Sequence, residues 1–407
     1  MQRLTFPVFP AGLPQLEPEL LARLNHHHEQ LINLVAVQPD GFLPFDQWMH
    51  HTLYAPDIGY YSGGSTKFGS QLPIGDFTTA PELTPIFGHT LAQQALQIFD
   101  QGVPLQILEF GAGSGALAEA VLGYFAQLGH AVQYQILEIS PSLRHRQQQR
   151  LASFGDQVSW LEGLPSAFEG VVLANELLDA MPTHIVRRDA ELTLHEVGIS
   201  LADTQADQRL QSPFQWTMRP LQDTQLAELA EARLPQIPNY QSELNLQAES
   251  WVRSLGDWLA RGAVLLFDYG FPQHEYYHAQ RSEGTLMCHF RHHAHGEALI
   301  LPGLQDLTAH VDFTAMADSA VEAGLDVLGY TSQARFLLNC GITQLLDQPP
   351  SDSSNTIALA TWNHTMGAVQ KLLSEAEMGE LFKVLALGKE VDPPLIGFLQ
   401  GDRRDRL

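Results

Sequence analysis

A glycine-rich turn carries the clearest local signal for chemistry in the sequence. Residues 109–116 read EFGAGSGA and lie between an apolar run at 105–110 and a helical pattern at 117–128. Glycines in a strand-to-helix turn let the backbone turn tightly and approach a ligand closely. The position and composition of this turn predict a binding site for a nucleotide-like cofactor.

Two acidic residues next to the turn bear on which cofactor it holds. Glu138 ends the following strand, where a carboxylate can bind both ribose hydroxyls of an adenosine. Together with Gly111, Gly113 and Ala116 it matches the dinucleotide pattern, so NAD fits. Glu109 directly precedes the turn, and its charge would repel a pyrophosphate but suits the cationic methyl donor S-adenosylmethionine. On this motif alone we favour S-adenosylmethionine, with NAD and a turn without ligand as the alternatives.

A second polar group follows a buried strand predicted at 170–175. Asn175, Glu176 and Asp179 come at its carboxyl end, the edge of an open α/β sheet that faces the ligand. The two acids are three residues apart, so both can face one side of a helical turn. Paired carboxylates can hold a guanidinium and ease the loss of its proton. In the structural alternative, Asn175 caps a helix and the acids favour its N-terminal dipole.

Two histidine-rich segments are candidate metal sites by residue type. One combines His292, His293 and His295 with Asp306, His310 and Asp312. Its spacing matches no standard zinc pattern, so we expect no metal there. The other is His26-His27-His28, and three adjacent residues do not share a helix face. We expect that segment to be a solvated turn of helix, and the chain to hold no metal.

The elements that must position these groups follow an alternating pattern. Strands are predicted at 105–110, 132–139, 158–161, 170–175 and 263–270, with helical segments at 117–128 and 143–151. Such alternation indicates right-handed βαβ units and a parallel sheet. The C-terminal third is predicted to hold helices near 314–324 and 332–340 and a strand near 357–361.

Breaks in this rhythm suggest the domain organisation. We predict an N-terminal helical and loop extension over 1–100 that covers part of the active site. The main α/β domain comprises 101–182 and 249–407. Between its two parts, 183–248 alternates as antiparallel strands do and then becomes glutamine-rich and polar, which indicates an inserted α+β subdomain.

Composition excludes several classes of protein. Of 407 residues, 44% are hydrophobic and 17% charged, a globular composition. The net charge of −24 disfavours nucleic-acid binding, since phosphate backbones are repelled. Cys288 and Cys340 are far apart, so a disulfide framework is not expected. No signal peptide and no apolar run of membrane-spanning length is recognised, and we expect a cytoplasmic location.

Many ordered blocks across nearly the whole chain resemble the MidA family of methyltransferases. The blocks are GYYS (59–62), GDFTTAPEL with Phe87-Gly88, LEFGAGSGALA, QILEISPSLR, LANELLDAMP, LLFDYGFP with EYY (275–277), QRSEGTL, PGLQDLTAHVDF and YTSQARFLLNCGI. The resemblance implies an α/β fold of the class I S-adenosylmethionine-dependent methyltransferases, with a Rossmann-like seven-stranded sheet. It also implies methylation of a protein arginine, since the mitochondrial member of the family acts on a respiratory complex I subunit.

The resemblance assigns roles by matching position. The implied cofactor-binding residues are Glu109, Gly111, Gly113, Gly115, Glu138, Ile139, Glu162, Gly163, Leu164, Asn175, Asp76, Thr79 and Glu82. Within this set the glycines would hold the methionine part, Glu138 the ribose, and the 161–164 stretch would flank adenine. Glu176, Asp179 and Asn175 would face the substrate as catalytic residues, and the GDFTTAPE loop would cover the cofactor or line the substrate entrance.

The methyl acceptor is less defined than the cofactor. After the fourth strand the chain has Asn-Glu-Leu-Leu, where many amino-group methyltransferases have Asn/Asp-Pro-Pro-Tyr. A respiratory-complex subunit or another arginine-bearing protein is the implied partner, and the oligomeric state stays open, with a homodimer as one option. The rival functions are a cofactor-binding assembly factor without transfer activity and, on the glycine pattern, an NAD-dependent oxidoreductase.

Overall fold

The chain divides into two compact units in a computed structural model, which describes residues 12–63, 79–202, 212–346, 348–350 and 355–407. The first unit comprises, of these, 12–63, 180–202, 212–247 and 274–310. The second comprises 79–179, 248–273 and the described residues from 311 to 407.

Helices and strands within the described residues are numbered in chain order. The helices are α1 (Pro18–Ala36), α2 (Phe45–Tyr54), α3 (Ala80–Leu83), α4 (Pro85–Phe99), α5 (Ala116–Gln127), α6 (Pro141–Arg150), α7 (Thr224–Arg233), α8 (Leu246–Trp258), α9 (Gln273–Tyr276), α10 (Phe313–Glu322), α11 (Gln333–Asn339) and α12 (Thr356–Leu373). The strands are β1 (Leu43–Pro44), β2 (Gln106–Phe110), β3 (Gln133–Leu137), β4 (Val158–Leu161), β5 (Phe168–Asn175), β6 (His184–Arg188), β7 (Leu194–Leu201), β8 (Phe214–Pro220), β9 (Gln241–Leu244), β10 (Leu259–Phe271), β11 (Met287–Phe290), β12 (His293–His295), β13 (Asp306–Thr308), β14 (Val311–Asp312), β15 (Asp326–Ser332) and β16 (Phe382–Lys389).

The second unit is built on one large, mostly parallel sheet. Its described strands run in the order β15-β16-β10-β5-β2-β3-β4, and the short β14 pairs with β10. The strands from β10 to β4 are parallel, and β16 is antiparallel to both of its neighbours. This arrangement confirms the α/β class, and the short β14 adds an eighth strand to the seven expected from the family resemblance. The strand order reverses between β2 and β5, which places the ligand crevice at their carboxyl ends.

Apolar burial holds this sheet to its helices. Ile107, Ile136 and Val171 have no exposed surface, and each buried side chain of this size contributes about 1.5–3 kcal/mol. A Cβ on Gly88 of α4 would lie 2.6 Å from the Ala120 Cβ of α5. Glycine at this position therefore lets α4 pack closely on α5, the helix that follows the glycine-rich turn.

The first unit contains antiparallel sheets. One has the order β1-β7-β6-β9 with β8 also paired to β7, and the other has the order β12-β11-β13. The antiparallel strands predicted after residue 183 are confirmed as β6 and β7. A shared core joins side chains from 31–61, 185–214 and 286–307, so the structure groups these segments in one unit. The division predicted from sequence instead separated 183–248 from the N-terminal extension and assigned 274–310 to the main domain.

Two local predictions are wrong. The segment near 357–361, predicted as a strand, begins α12, where the Asn355 side chain accepts a hydrogen bond from the Ala358 amide as an N-cap. His27 and His28, predicted to be solvated, are 2% and 4% exposed. Both lie in the apolar stripe of α1 with Leu24 and Leu31, so burial lowers the pKa of each to about 4.

Candidate functional site

The glycine-rich turn adopts a backbone that favours glycine. It links the end of β2 to the start of α5, and Gly111, Gly113 and Gly115 have φ values of 65°, 53° and 83°. These left-handed values are costly for residues with a Cβ. The turn therefore places glycine backbone directly before α5. The first N–H groups of a helix have no partner within the helix, so a ligand can approach closely and bind there.

The buried side chain of Gln147 joins three parts of this site. Its amide Nε2 donates to the Gly113 carbonyl oxygen at 2.9 Å and to the Glu138 carboxylate at 2.9 Å. Its Oε1 accepts from the Trp160 indole at 3.0 Å. Gln147 has no exposed surface, so these bonds hold the turn, the predicted ribose carboxylate and the end of β4 in fixed positions.

Glu109 lies inside the protein, and this changes its electrostatic role. The side chain is 3% exposed, and its carboxylate accepts a 2.8 Å hydrogen bond from Tyr134. Burial raises the pKa of Glu109 to about 8, against the effect of that hydrogen bond and with a further contribution from Glu138. The negative charge that the sequence analysis assumed is thus largely absent at neutral pH. A cationic ligand near Glu109 would favour the ionised, negatively charged form of this side chain.

The segment that leads into α3 contacts both polar groups predicted from sequence. The Glu82 carboxylate accepts a hydrogen bond from Ser114 in the glycine-rich turn, and Arg150 lies 3.7 Å from the same carboxylate. The backbone N–H of Ala80 bonds to the carboxylate of Glu176. Residues 79–82 therefore connect the turn to the predicted catalytic carboxylates.

The carboxylates after β5 stand in a turn and not in a helix. Glu176 has φ of 53°, and its backbone N–H bonds to the Phe267 carbonyl oxygen at 2.8 Å. No helix follows Asn175 within the described residues 176–202, so the helix-cap alternative and the helical-turn geometry are both wrong. The Nδ2 of Asn175 donates to Glu176 at 3.1 Å, while its buried Oδ1 has no hydrogen-bond partner among the described residues.

A third carboxylate, Asp268 of β10, completes this cluster. Asp268 is 1% exposed and accepts from the backbone N–H groups of Leu178 at 2.9 Å and Asp179 at 3.3 Å. Burial, with the Asp179 and Glu176 carboxylates, raises the pKa of Asp268 well above its usual value. Burial and Asp179 likewise raise the pKa of Glu176 to about 8. Close carboxyls with raised pKa values are common at functional sites, which makes this cluster a candidate for one.

Comparison with known proteins decides the family. A family described as S-adenosyl-L-methionine-dependent methyltransferase matches residues 90–331, more than half of the chain. The chain belongs to this family.

Relatives and a solved structure agree over almost the full length. A COG1565 superfamily member from Burkholderia thailandensis, crystallised with S-adenosyl-homocysteine, is 44% identical, with a TM-score of 0.89 over 97% of this chain and 100% of that one. The Drosophila melanogaster protein arginine methyltransferase NDUFAF7 homolog, mitochondrial, is 27% identical over 95% of this chain and 92% of its own length. The mouse NDUFAF7 protein is 28% identical over 86% of this chain and 82% of its own length.

The protein is therefore an S-adenosylmethionine-dependent methyltransferase. The glycine pattern left S-adenosylmethionine and NAD as alternative cofactors, and the family membership decides for S-adenosylmethionine. The family expected from the ordered sequence blocks is also confirmed. The backbone of the turn and the unpaired Oδ1 of Asn175 leave groups suited to bind such a cofactor. No helix among the described residues is long and apolar enough to cross a membrane. The cytoplasmic location stays a prediction, and the two relatives above are named as mitochondrial.

Further predicted cofactor residues of the methyltransferase follow the carboxyl ends of β3 and β4. Ile139 and Leu164 follow the adjacent strands β3 and β4 and are 68% and 50% exposed, as apolar residues that flank an adenine would be. Glu162, next to Gly163, is largely exposed and pairs with Arg144 at 2.7 Å. Thr79 is buried, and Asp76 lies outside the described residues.

The predicted histidine clusters of the methyltransferase do not assemble a metal site within the described residues. His293 and His295 lie on β12 and make local hydrogen bonds, with the Arg291 carbonyl oxygen and the Glu297 amide respectively. Asp306 instead accepts a hydrogen bond from Tyr61 at 3.0 Å. Cys288 and Cys340 are buried free thiols.

Two important residues were not singled out from the sequence. Gln147 lies in the polar run RHRQQQR, where nothing distinguishes it from the neighbouring glutamines. Asp268 did have a usable signal, because it is an acid within an apolar run predicted as a strand. In the structure it comes one residue after Phe267, the partner of Asn175 in the parallel ladder. The rule that ligands bind at that edge applies equally to β10.

Proposed function

We propose that this methyltransferase transfers a methyl group to a guanidinium nitrogen of an arginine in a protein substrate. The observation that carries the proposal is the carboxylate cluster of Glu176, Asp179 and Asp268, which residues 79–82 join to the glycine-rich turn. The names of the relatives, protein arginine methyltransferases, point to the same acceptor. The net charge of −24 also favours the approach of a cationic partner.

The cluster suits the chemistry of a guanidinium. An arginine side chain stays protonated at physiological pH and presents planar N–H donors that fit carboxylates in bidentate geometry. The bound cofactor supplies an electrophilic methyl group on a sulfonium. The methylated nitrogen must lose one proton, and a carboxylate of the cluster can accept it. We assign Glu176 as the residue that holds the attacking nitrogen and takes this proton.

The rest of the cluster acts mainly by position. Asp268 binds the backbone of Leu178 and Asp179 and so fixes the turn that presents Glu176. The Ala80 amide holds the Glu176 carboxylate from the other side. A rigid constellation of this kind raises the rate by keeping the reactants in line and by excluding water.

The test is transfer of tritiated methyl groups from S-adenosylmethionine to protein in an extract from cells that lack the enzyme. Labelled proteins are then examined by mass spectrometry for methylarginine. A peptide that contains the labelled site is compared with the same peptide carrying lysine for arginine. Glu176→Gln is compared with Glu169→Gln, which removes an exposed carboxylate at the opposite end of the same strand β5.

The expected result is methylarginine with wild type and Glu169→Gln and none with Glu176→Gln. Methylation confined to lysine, to the chain terminus or to small molecules would contradict the arginine assignment. Micromolar binding of S-adenosylmethionine without any transfer would favour the assembly-factor alternative.

A further inference from the structure

The first unit brings together three side chains that can bind a metal, none of which belongs to the predicted histidine clusters. Asp46 lies in the first turn of α2, His184 begins β6, and Glu196 lies in β7. One ligand atom from each lies within 4.8 Å of the other two. Their separation along the chain hides this arrangement from any search for short sequence motifs.

The pairing of β6 with β7 explains why two of the ligands meet. Val186 is directly opposite Glu196 in the antiparallel ladder, and His184 is two residues before Val186. Side chains two residues apart on a strand project from the same face, and such diagonal pairs are within reach of each other. Helix α2 packs against both strands and adds Asp46 from above that face.

Two atoms of this group lack hydrogen-bond partners within the described structure. His184 Nδ1 and Asp46 Oδ1 are both inaccessible to water and make no hydrogen bond. The Nδ1 atom lies 3.6 Å from Asp46 Oδ1 and 3.9 Å from Glu196 Oε1, too far for hydrogen bonds. Buried polar atoms without partners cost free energy, so their convergence on one point needs an explanation.

We propose that Asp46, His184 and Glu196 form a binding site for a divalent transition-metal ion of the zinc type. One imidazole nitrogen and two carboxylate oxygens are suitable ligands for Zn²⁺, whereas the harder Ca²⁺ and Mg²⁺ take oxygen ligands. Tetrahedral coordination with bonds of 2.0–2.2 Å sets ligand atoms roughly 3.3–3.5 Å apart. The two distances from His184 Nδ1, 3.6 and 3.9 Å, are within a few tenths of an ångström of this range, and the two carboxylate oxygens lie within 4.8 Å of each other.

The surroundings support the site. Arg219 donates to Glu196 Oε2 at 2.8 and 3.0 Å and lies over the Phe42 ring, so it orients Glu196 and leaves Oε1 for the ion. Partners that orient ligands in this way are usual around metal sites. The His184 and Asp46 side chains keep 23% and 26% of their surface exposed, so the site lies close to the protein surface.

The experiment measures binding of Co²⁺ and Zn²⁺ to the full-length chain after removal of metals with a chelator. Calorimetry gives the stoichiometry, and Co²⁺ reports tetrahedral coordination through its visible absorption. The variants His184→Gln, Asp46→Asn and Glu196→Gln each remove one ligand. The matched control is His195→Gln, since His195 forms a 3.6 Å pair with Asp189 on the opposite face of β7 but has no third ligand there.

The chain has 18 histidines, so the comparison rests on the difference between variants and not on total uptake. We expect wild type and His195→Gln to bind one equivalent more than each ligand variant, or to bind it at least tenfold more tightly. Circular dichroism and unchanged affinity for S-adenosylmethionine would show that the variants are folded. Equal stoichiometry and affinity in wild type and His184→Gln would overturn the proposal. Absence of any binding would also overturn it.

Discussion

The side-chain amide of Gln147 bonds at once to the carbonyl oxygen of Gly113 and to the carboxylate of Glu138, both at 2.9 Å. One buried residue thus fixes the distance between the glycine-rich turn and the carboxylate predicted to bind ribose. Gly113 and Glu138 both belong to the predicted cofactor site, whereas Gln147 was not predicted to be part of it. The relationship makes the affinity for the cofactor sensitive to a residue that has no assigned contact with it.

Replacement of Gln147 by leucine should weaken cofactor binding and stability together. The change leaves the Trp160 indole and the Glu138 carboxylate without this partner, which costs about 1–3 kcal/mol of unfolding free energy. We expect a roughly tenfold loss of S-adenosylmethionine affinity, equivalent to about 1.4 kcal/mol. Calorimetry and urea unfolding measure the two effects. Gln149→Leu is the control, because Gln149 is exposed on the same helix and contacts His145. Equal affinities for the two variants would contradict the role of Gln147.

Gly113→Val should abolish cofactor binding. The left-handed φ of 53° is unfavourable for a β-branched residue, and the side chain would enter the space at the start of α5. Gly123→Ala is the control, since a Cβ there meets no atom within 4 Å and alanine favours the helix. Calorimetric titration with S-adenosylmethionine distinguishes the two variants. Unchanged affinity in Gly113→Val would remove the turn from the cofactor site.

The pH dependence of transfer should follow the ionisation of the carboxylate cluster. Glu176 must be ionised to hold a guanidinium and accept its proton, and its pKa of about 8 lies above neutrality. We expect kcat/KM to rise by up to tenfold per pH unit below pH 8 and to level off above it. Because the carboxyls interact, the measured midpoint belongs to the cluster. A flat profile between pH 6 and 9, with arginine as the confirmed acceptor, would exclude Glu176 as the titrating base.

Asp268→Asn should impair transfer but spare the cofactor. Asparagine keeps one acceptor oxygen in place of two. It therefore cannot accept both the bonds from Leu178 and Asp179, which reach Oδ2, and the bond from the Tyr269 N–H, which reaches Oδ1. The turn that carries Glu176 is then held less firmly. We expect the midpoint of the pH profile to shift, since Asp268 is one of the interacting carboxyls of the cluster. Steady-state kinetics across pH and calorimetry with S-adenosylmethionine test this. A loss of activity without any shift of the profile would indicate a purely structural role.

Glu109→Gln should stabilise the cofactor-free protein as pH rises. The pKa of Glu109 is about 8 when folded and near 4.5 when unfolded, so the native state binds more protons between these values and loses stability with increasing pH. Glutamine does not ionise, so the variant avoids this loss of unfolding free energy, which amounts to about 3 kcal/mol between pH 4.5 and pH 7. Urea unfolding of both proteins at pH 5, 6 and 7 gives the difference. A difference in unfolding free energy between the two proteins that does not change with pH would place the pKa of Glu109 near its usual value.

The sheet and its edge were predictable because local pattern determines them. Apolar runs with flanking turn residues predicted β2, β3, β4, β5 and β10, and the acids at strand ends led to the prediction of a site at that edge. The start of α12 was misjudged because a short apolar run resembles a buried strand when the helix cap at Asn355 is not considered.

The contacts that assemble the site could not be predicted from one sequence. The Ala80 amide meets Glu176 across almost a hundred residues, and Asp268 meets Asp179 over a similar span. Nothing in either local segment encodes its partner, because such contacts arise only when the sheet brings strand ends together. For the same reason, the sequence alone does not indicate that Asp46, His184 and Glu196 lie close together.

The left-handed backbone at Glu176 sets a trade-off for anyone who engineers this protein. A glutamate in that conformation costs the fold on the order of 1–3 kcal/mol, which glycine would largely recover and asparagine would reduce. A laboratory selection for heat resistance alone should therefore discard Glu176 early, and the survivors would be robust and inactive. Selection that alternates thermal challenge with a methyl-transfer assay would keep the glutamate and find its gains at other positions.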